Sequence, residues 1–538
     1  MAGVRVGLLC RNTADVAGLQ PSHTQGIEGS IAGATVQHLH LHRVTARTHI
    51  RALPSEDVNV AIVGAGPVGM LVAMALSRRG FRRLKIFDRQ PKPPPPDAAA
   101  WGNAERSYNL GLGERGQRAL NRFGVFEAVD RWSQTVLGRM SYSQDGKPPV
   151  ATLANKRVSS RIIARDRLTS CLYEELRSAW PDVQVQFSVE CSNAVFHSVC
   201  GNATLTLQQC GSLQPGDGVM PQRLTPEADN DSEQCLVVDG GSFNVDADVV
   251  IGADGVSSKV REAMEMAGSH TFRQTFPDRS PVIYKTLPIS MPAGSRVDLN
   301  YSTRKTSIGI EALPNIEGSL AGVVLFKPTD EDILNMRSAS DARQFFSSTF
   351  PDWPTPQLSD AELTAFAARR VRRLPQFTYC GPALHLSGGR AVLLGDAIHS
   401  VKPYFGLGVN SGFEDVSVLD DCIQEAGGDL ERAFESYSKR RGPDARALVE
   451  SQYRLDQPGK LRTMLFFVGP LLLDTFCNRF LPSVFAPSTL RLLGNADYSF
   501  AELRRRKRRD RALQLLLLVA LPIFAVRSVK ALFWLFRR

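Results

Sequence analysis

The apolar run Val58-Asn-Val-Ala-Ile-Val63 passes directly into Gly64-Ala-Gly66-Pro-Val68-Gly69, and this junction constrains the fold more than any other stretch of the 538 residues. A short, β-branched apolar run bounded by glycine predicts a buried strand. The glycines have separate tasks. Gly64 permits a tight turn, Gly66 lets backbone approach a ligand, and Gly69 lets helix pack closely on strand. Met70 to Arg79 then predicts a helix ending at Gly80, and Leu84 to Phe87 a second strand. Strand, helix and strand at this spacing form a parallel βαβ unit. The free N–H groups and dipole of the helix N-terminus suit a pyrophosphate. Asp88 closes the second strand nineteen residues beyond Gly69, where a carboxylate can accept hydrogen bonds from ribose hydroxyls. Together these features predict a dinucleotide site.

Two later segments narrow the cofactor. Asp248-Val-Val-Ile-Gly-Ala-Asp254-Gly255 predicts a buried strand, a turn and a helix start. Arg390-Ala-Val-Leu-Leu-Gly395-Asp396 repeats strand then turn, and Pro403-Tyr-Phe-Gly406-Leu-Gly408-Val409-Asn410 opens a further helix. In this order the three motifs resemble the class A flavin hydroxylases, which share the p-hydroxybenzoate hydroxylase fold. Within that family the chain is most similar to the kynurenine 3-monooxygenases. The likeness is carried by Arg106-Ser107-Tyr-Asn109-Leu-Gly111, Ala312-Leu-Pro-Asn315, Phe350-Pro-Asp352 and Phe413-Glu414-Asp415.

The resemblance implies an α/β fold: a Rossmann-like FAD-binding domain with an inserted, mainly antiparallel β substrate domain and a C-terminal helical region. On this chain those parts fall at 56–275 and 381–425 for the FAD domain, 276–380 for the β domain, and 426–500 for the helices. The implied activity is ring hydroxylation with NADPH or NADH and O2, through a flavin hydroperoxide. The cofactor carries that chemistry, so neither a protein nucleophile nor a metal is called for. FAD contacts are implied at Gly64, Gly66, Val68, Gly69, Asp88, Arg89, Gly111, Arg165, Asp254, Gly255, Gly395, Asp396, Pro403, Gly406, Gly408, Val409 and Asn410. His399 reads as a packed, hydrogen-bonded residue and not as a catalyst.

For the substrate, Arg139 corresponds to the arginine that grips a carboxylate, a role suited to a planar guanidinium. Reading without gaps, Leu153 falls where the family has a substrate tyrosine, Leu455 where it has an asparagine, and Thr489 where it has a further tyrosine. Loss of those polar anchors predicts that L-kynurenine is a poor substrate and that a more apolar aromatic or quinone-like molecule is favoured. A flavin epoxidase or hydroxylase acting on a membrane-soluble substrate is one alternative. A non-catalytic flavin-fold membrane scaffold is another.

Charge locates the remaining features. The net charge is +10, and the stretch 504–538 supplies all of it, with eleven Lys/Arg and one Asp. A basic tail on a neutral body points to a membrane surface and away from nucleic acid. Within the tail, Ala512 to Val526 has only Gln514 polar, and fifteen helical residues rise about 22 Å, short of a bilayer core of about 30 Å. A short anchor and an interfacial helix both fit residues 501–538. Residues 1–55 hold five Arg, five His and two acids, which fits a transit peptide or a disordered leader. An organelle membrane, of the mitochondrial outer membrane or a plastid, is the implied location. Nine scattered cysteines without a CxxC pair predict reduced thiols. Residues 208–236, rich in Gly, Pro, Asp and Gln, predict a loop inserted in a hairpin.

Overall fold

The computed structural model of the chain describes residues 55–102, 108–143, 147–154, 157–198, 201–210, 237–279, 281–291, 294–353, 358–456 and 459–537. The leader up to residue 54, Arg106, Ser107 and nearly all of the 208–236 loop lie outside the described residues.

The βαβ reading of the first motif holds. Asn59–Val63 is the strand, Pro67–Arg78 the helix and Arg83–Asp88 the second strand, paired in parallel with the first. They lie inside a six-stranded sheet ordered His385–Leu386, Ala391–Leu393, Val249–Gly252, Asn59–Val63, Arg83–Asp88, Gln184–Phe187. Every neighbouring pair is parallel except His385–Leu386 with Ala391–Leu393. The central strands Asn59–Val63, Val249–Gly252 and Ala391–Leu393 are almost wholly buried and apolar, as strands of a covered parallel sheet are. The strands carrying all three glycine motifs are thus adjacent, although they lie more than three hundred residues apart in the chain. Strands Ala203–Cys210 and Val237–Ala247 pair as a hairpin flanking the predicted loop.

A second, seven-stranded sheet has its own core. Its order is Arg372–Arg373, Ile283–Ser290, Ser319–Phe326, Ile308–Pro314, Leu299–Lys305, Gly138–Tyr142, Val150–Leu153. Helices Ala339–Thr349 and Asp360–Ala368 begin in capping boxes at Ser338/Asp341 and Ser359/Glu362. They cover one face, burying Phe346, Phe350, Trp353 and Phe366. Residues 276–380 were expected to supply this domain alone. The sheet also takes Gly138–Tyr142 and Val150–Leu153 from the segment assigned to the FAD domain. Those two strands are short and carry no apolar alternation, so only long-range pairing reveals them. Conversely Thr378–Pro382 leaves this domain and pairs with Thr271–Thr275.

The C-terminal part is helical: Gly408–Glu425, Leu430–Leu455, Gly469–Phe480, and a single helix Phe500–Leu535. Among the described residues no helix is long and apolar enough to cross a membrane. Cysteine chemistry departs from expectation at one place. Cys210 is disulfide-bonded, whereas Cys171, Cys191, Cys380, Cys422 and Cys477 are free. Residue spacing alone does not report which cysteines pair.

Candidate active site

At Gly64 the φ is 101°, and a Cβ there would lie 2.3 Å from the Ala253 carbonyl oxygen. A Cβ on Gly69 would lie 1.8 Å from the Gly64 carbonyl oxygen. Both positions therefore demand glycine, one for conformation and contact, the other for contact alone. A Cβ on Gly66 would meet only the Arg165 guanidinium, at 4.0 Å, so the start of the Pro67–Arg78 helix stays open. Asp88 is tied to this turn. Its carboxylate accepts from Ala65 N at 2.6 Å and Gln90 N at 2.7 Å. Arg89 follows it, half-buried at the same strand end.

Asp254 follows the neighbouring strand. Its Oδ2 accepts from the N–H groups of Lys259 (2.7 Å) and Val260 (3.3 Å), while Oδ1 is buried without a hydrogen-bond partner. Burial pushes this carboxyl above its ordinary range, against the hydrogen bonds it receives. Gly255 beside it has φ 80° and open space where a Cβ would stand. A buried acceptor oxygen with no donor beside an open glycine turn is what a cofactor hydroxyl would complete.

Arg165, at the start of the Arg165–Ala179 helix, ties the motifs together electrostatically. Burial lowers its basicity, but Tyr108, Asp166, Asp88 and Asp396 more than offset that, and the net shift is upward. Its side chain is still 40% exposed, so it lines an open cleft. Asp88 and Asp396, from the first and third motifs, thus both act on one guanidinium.

The third motif closes the cradle. Gly395 has φ 63°, and a Cβ on it would lie 3.2 Å from Val68 Cγ2. Asp396 is exposed at the turn, and a Cβ on Gly408 would lie 3.9 Å from its Oδ1. The Gly408–Glu425 helix starts with no side-chain cap, leaving the N–H groups of Gly408 and Val409 for a ligand. The Pro403–Phe405 turn leads into it and ends at Gly406 (φ 60°), where a Cβ would stand 3.6 Å from the Gly111 carbonyl oxygen.

The Asn410 side chain is engaged within the protein. Its Oδ1 accepts from Gly113 N (2.9 Å) and Gly116 N (3.1 Å), and its Nδ2 donates to the carbonyls of Gly111 (2.8 Å) and Gly406 (2.5 Å). The amide's hydrogen-bonding capacity is thus used to clamp two loops, which leaves only its backbone for a cofactor. His399 is buried, with Nε2 2.9 Å from Asp415 Oδ2. Burial lowers its pKa, but the Asp415 charge outweighs that and raises it overall. Asp415 in turn holds Gly395 N at 2.8 Å and Arg441 at 2.6 Å, and Arg441 reaches Asp444 at 2.8 Å. Burial raises the Asp415 carboxyl, yet His399 and Arg441 outweigh it and hold it below the ordinary range. This charged network buttresses the cradle from behind. Sequence reading missed Arg441, which sits mid-helix without any motif around it.

The substrate assignments are redistributed. Arg139 lies on the second sheet, half-exposed, with Nη2 3.4 Å from Glu311 Oε2. Leu153 is register-paired with Gly138, whereas Arg139 pairs with Thr152. Side chains alternate between faces along a strand, so Leu153 lies on the face opposite Arg139 and Thr152 shares its face. Leu153, expected where the family has a substrate tyrosine, therefore does not share the face of Arg139. Leu455 is the last residue of its helix and packs on the first core. Glu311 and Asn300 accompany Arg139 instead, and neither was singled out from sequence.

Comparison with known proteins follows the same lines. A family of FAD binding domains matches residues 207–452. The kynurenine 3-monooxygenase of Salinispora arenicola is 30% identical over 469 residues, covering 85% of this chain and 92% of that protein. The Caenorhabditis elegans enzyme of the same name is 25% identical over 85% of this chain and 94% of its own length. Among solved structures, 2-methyl-3-hydroxypyridine-5-carboxylic acid oxygenase superposes with a TM-score of 0.55 at 18% identity. It covers 84% of this chain and 98% of that one, which bears on the fold alone.

Proposed function

The chain belongs to the kynurenine 3-monooxygenase family of FAD-dependent aromatic hydroxylases, and from that premise we propose that its two sheets divide the work of binding cofactor and substrate. It is an FAD-dependent, NAD(P)H-using monooxygenase. When bound, FAD would supply hydride acceptance and oxygen activation, chemistry no side chain offers. The chain's own residues bind, orient and exclude water. The N-termini of the Pro67–Arg78 and Gly408–Glu425 helices would hold anionic and ring-oxygen groups. Asp88, Asp254 and Asp396 would accept from hydroxyls, with Arg165 between the first and the last.

The observation that carries this reading is Asp254 Oδ1, buried without a donor at the edge of a cradle built of obligatory glycines. The substrate would lie under the Arg139 face of the second sheet. Support comes from Asn315, the residue after the strand that carries Glu311, whose Oδ1 accepts from Asn109 Nδ2 at 2.7 Å, two residues from Gly111. That contact runs the substrate face into the cradle. The test is direct: purified protein should be yellow, hold one FAD per chain, and consume O2 and NAD(P)H faster with an aromatic substrate. A colourless protein that cannot be reconstituted with FAD overturns the reading.

We further propose that the C-terminal helices lie on a membrane surface. Phe476, Phe480, Leu515, Leu516, Leu518 and Val519 are each more than half exposed, beside Arg505, Arg508 and Arg509, which face solvent. Apolar area beside basic residues is the composition of an interfacial helix. Vesicle flotation tests it, with loss of binding expected at high salt.

A further inference from the structure

We propose that Glu311 selects the substrate by charge, disfavouring aromatic carboxylates and admitting uncharged rings that carry a hydrogen-bond donor. The inference rests on the reading that the cleft beneath the second sheet is the hydroxylation site. Register fixes the geometry. Asn300 pairs with Arg139, and Ser302 with Glu311, across adjacent strands. Their neighbours Met140, Tyr142, Tyr301, Ile310 and Ala312 pack into the second core, so Arg139, Asn300 and Glu311 share the opposite face.

Just past the end of that strand Asn315 touches the cradle, and back along the face come Leu313 and then Glu311. Same-face residues on a strand are spaced about 7 Å apart. Glu311 therefore stands farther from the cradle than Arg139 does, and the 3.4 Å ion pair draws the guanidinium outward while neutralising it. The other charge acting on Glu311 is Arg304, exposed at the far end of the hairpin. Partial desolvation nevertheless raises the Glu311 carboxyl above its usual range, outweighing both arginines, while 41% of the side chain stays exposed to the cleft. A substrate carboxylate would have to displace Glu311 from Arg139 and would leave two carboxylates side by side, a juxtaposition that repels strongly. The vacancy that remains is an acceptor: Asn300 Oδ1, opposite Arg139 in register, is buried without a hydrogen-bond partner. A phenol or aromatic amine satisfies it, and a carboxylate does not. Leu313, Val323 and Leu325, alternating with buried residues on this face, give the cleft an apolar remainder.

The experiment uses the FAD-loaded enzyme and three probes: 4-hydroxyacetophenone, 4-hydroxybenzoate and L-kynurenine. Kd is read from perturbation of the flavin absorbance. The wild type is expected to bind the uncharged phenol on the order of tenfold more tightly than its carboxylate analogue, and Glu311→Gln to close that gap by tightening the carboxylate alone. Adding Arg139→Gln to Glu311→Gln should abolish the gain, because the freed guanidinium is its source. An unchanged ratio in Glu311→Gln overturns the proposal. Tight L-kynurenine binding that Glu311→Gln alone weakens also overturns it, since Glu311 would then be an ammonium ligand. If no probe perturbs a flavin that NAD(P)H still reduces, the cleft is not the binding face and the proposal falls. A chain that holds no flavin instead defeats the parent reading.

Discussion

The cradle region and the C-terminal helices both bury charge, but they are built inside out relative to each other. Behind the cradle, Arg441 (2% exposed) and Asp415 (0%) form an ion pair within the interior of the body. In the pair of helices Gly469–Phe480 and Phe500–Leu535, the inward residues are polar: Asp474 (1%), Asp510 (0%) and Gln514 (1%). There the outward residues are large and apolar, with Phe476 at 62% and Leu515 at 63%. Lys507 and Arg511 both reach Asp474, at 3.2 and 3.0 Å. Charges are paired in both regions because an unpaired buried charge is costly anywhere. What differs is the medium outside. Large apolar groups turned outward in a contiguous patch mark an interaction surface.

The largest effect expected, and the sharpest test of the body, is Gly69→Val. With a Cβ 1.8 Å from the Gly64 carbonyl oxygen, the helix cannot stay where it is. Flavin binding should be lost altogether, read as the disappearance of flavin absorbance in the purified protein. Next is Arg441→Leu, which strands Asp415 and Asp444 without their cation. Breaking a buried pair from one side costs about 3–5 kcal/mol, and urea unfolding of the variant should show a loss of that order. A loss near zero would mean the network is not what buttresses Gly395.

Asn410→Ala should come third. The amide makes four hydrogen bonds to backbone groups of two loops. Leaving such groups unsatisfied costs about 1–3 kcal/mol each, but water entering the half-open cleft replaces part of that loss. The expected outcome is a folded protein whose FAD dissociates at least tenfold more readily, measured by dialysis. Retained affinity would mean that the clamp does not hold the cradle in shape.

These expectations track what was legible in the sequence. Gly64, Gly69 and Asp254 were readable because a tight turn and a close backbone approach admit one residue type, and that requirement is local. The helix Pro67–Arg78 and the strand Arg83–Asp88 emerged close to their expected places because helical periodicity and short apolar runs are also local. Glu311, Asn300 and the true partners of Arg139 were not readable. They meet through the register of strands more than 150 residues apart, and the face on which Leu153 lies is set by register in the same way. Arg441 was hidden for a related reason: its partner Asp415 is supplied by a different helix. The tail was read correctly as basic and apolar, but not as one helix whose first third is packed into the protein.

That packing decides where the tail can be cut, which is the smallest expected effect on stability and the clearest separation of the two regions. Arg504 reaches Glu450 at 2.5 Å, and Lys507, Asp510 and Gln514 are buried. Removing everything from Arg504 onward would leave Asp474 buried without Lys507 or Arg511, so such a variant confuses membrane release with unfolding. A stop after Gln514 keeps those pairs and removes the exposed run that includes Leu515, Leu516, Leu518, Val519, Ile523 and Val526. The shorter variant should unfold within about 0.5 kcal/mol of the full chain, as surface changes usually do, and should keep its flavin spectrum. It should also lose most of its binding to anionic vesicles, since apolar burial and basic attraction act together and either alone is marginal. Undiminished vesicle binding would assign the surface to Leu461–Phe480, whose apolar residues remain exposed after the cut. Loss of stability instead would mean that the outward leucines are covered by the protein itself, and that the two regions are not inverted after all.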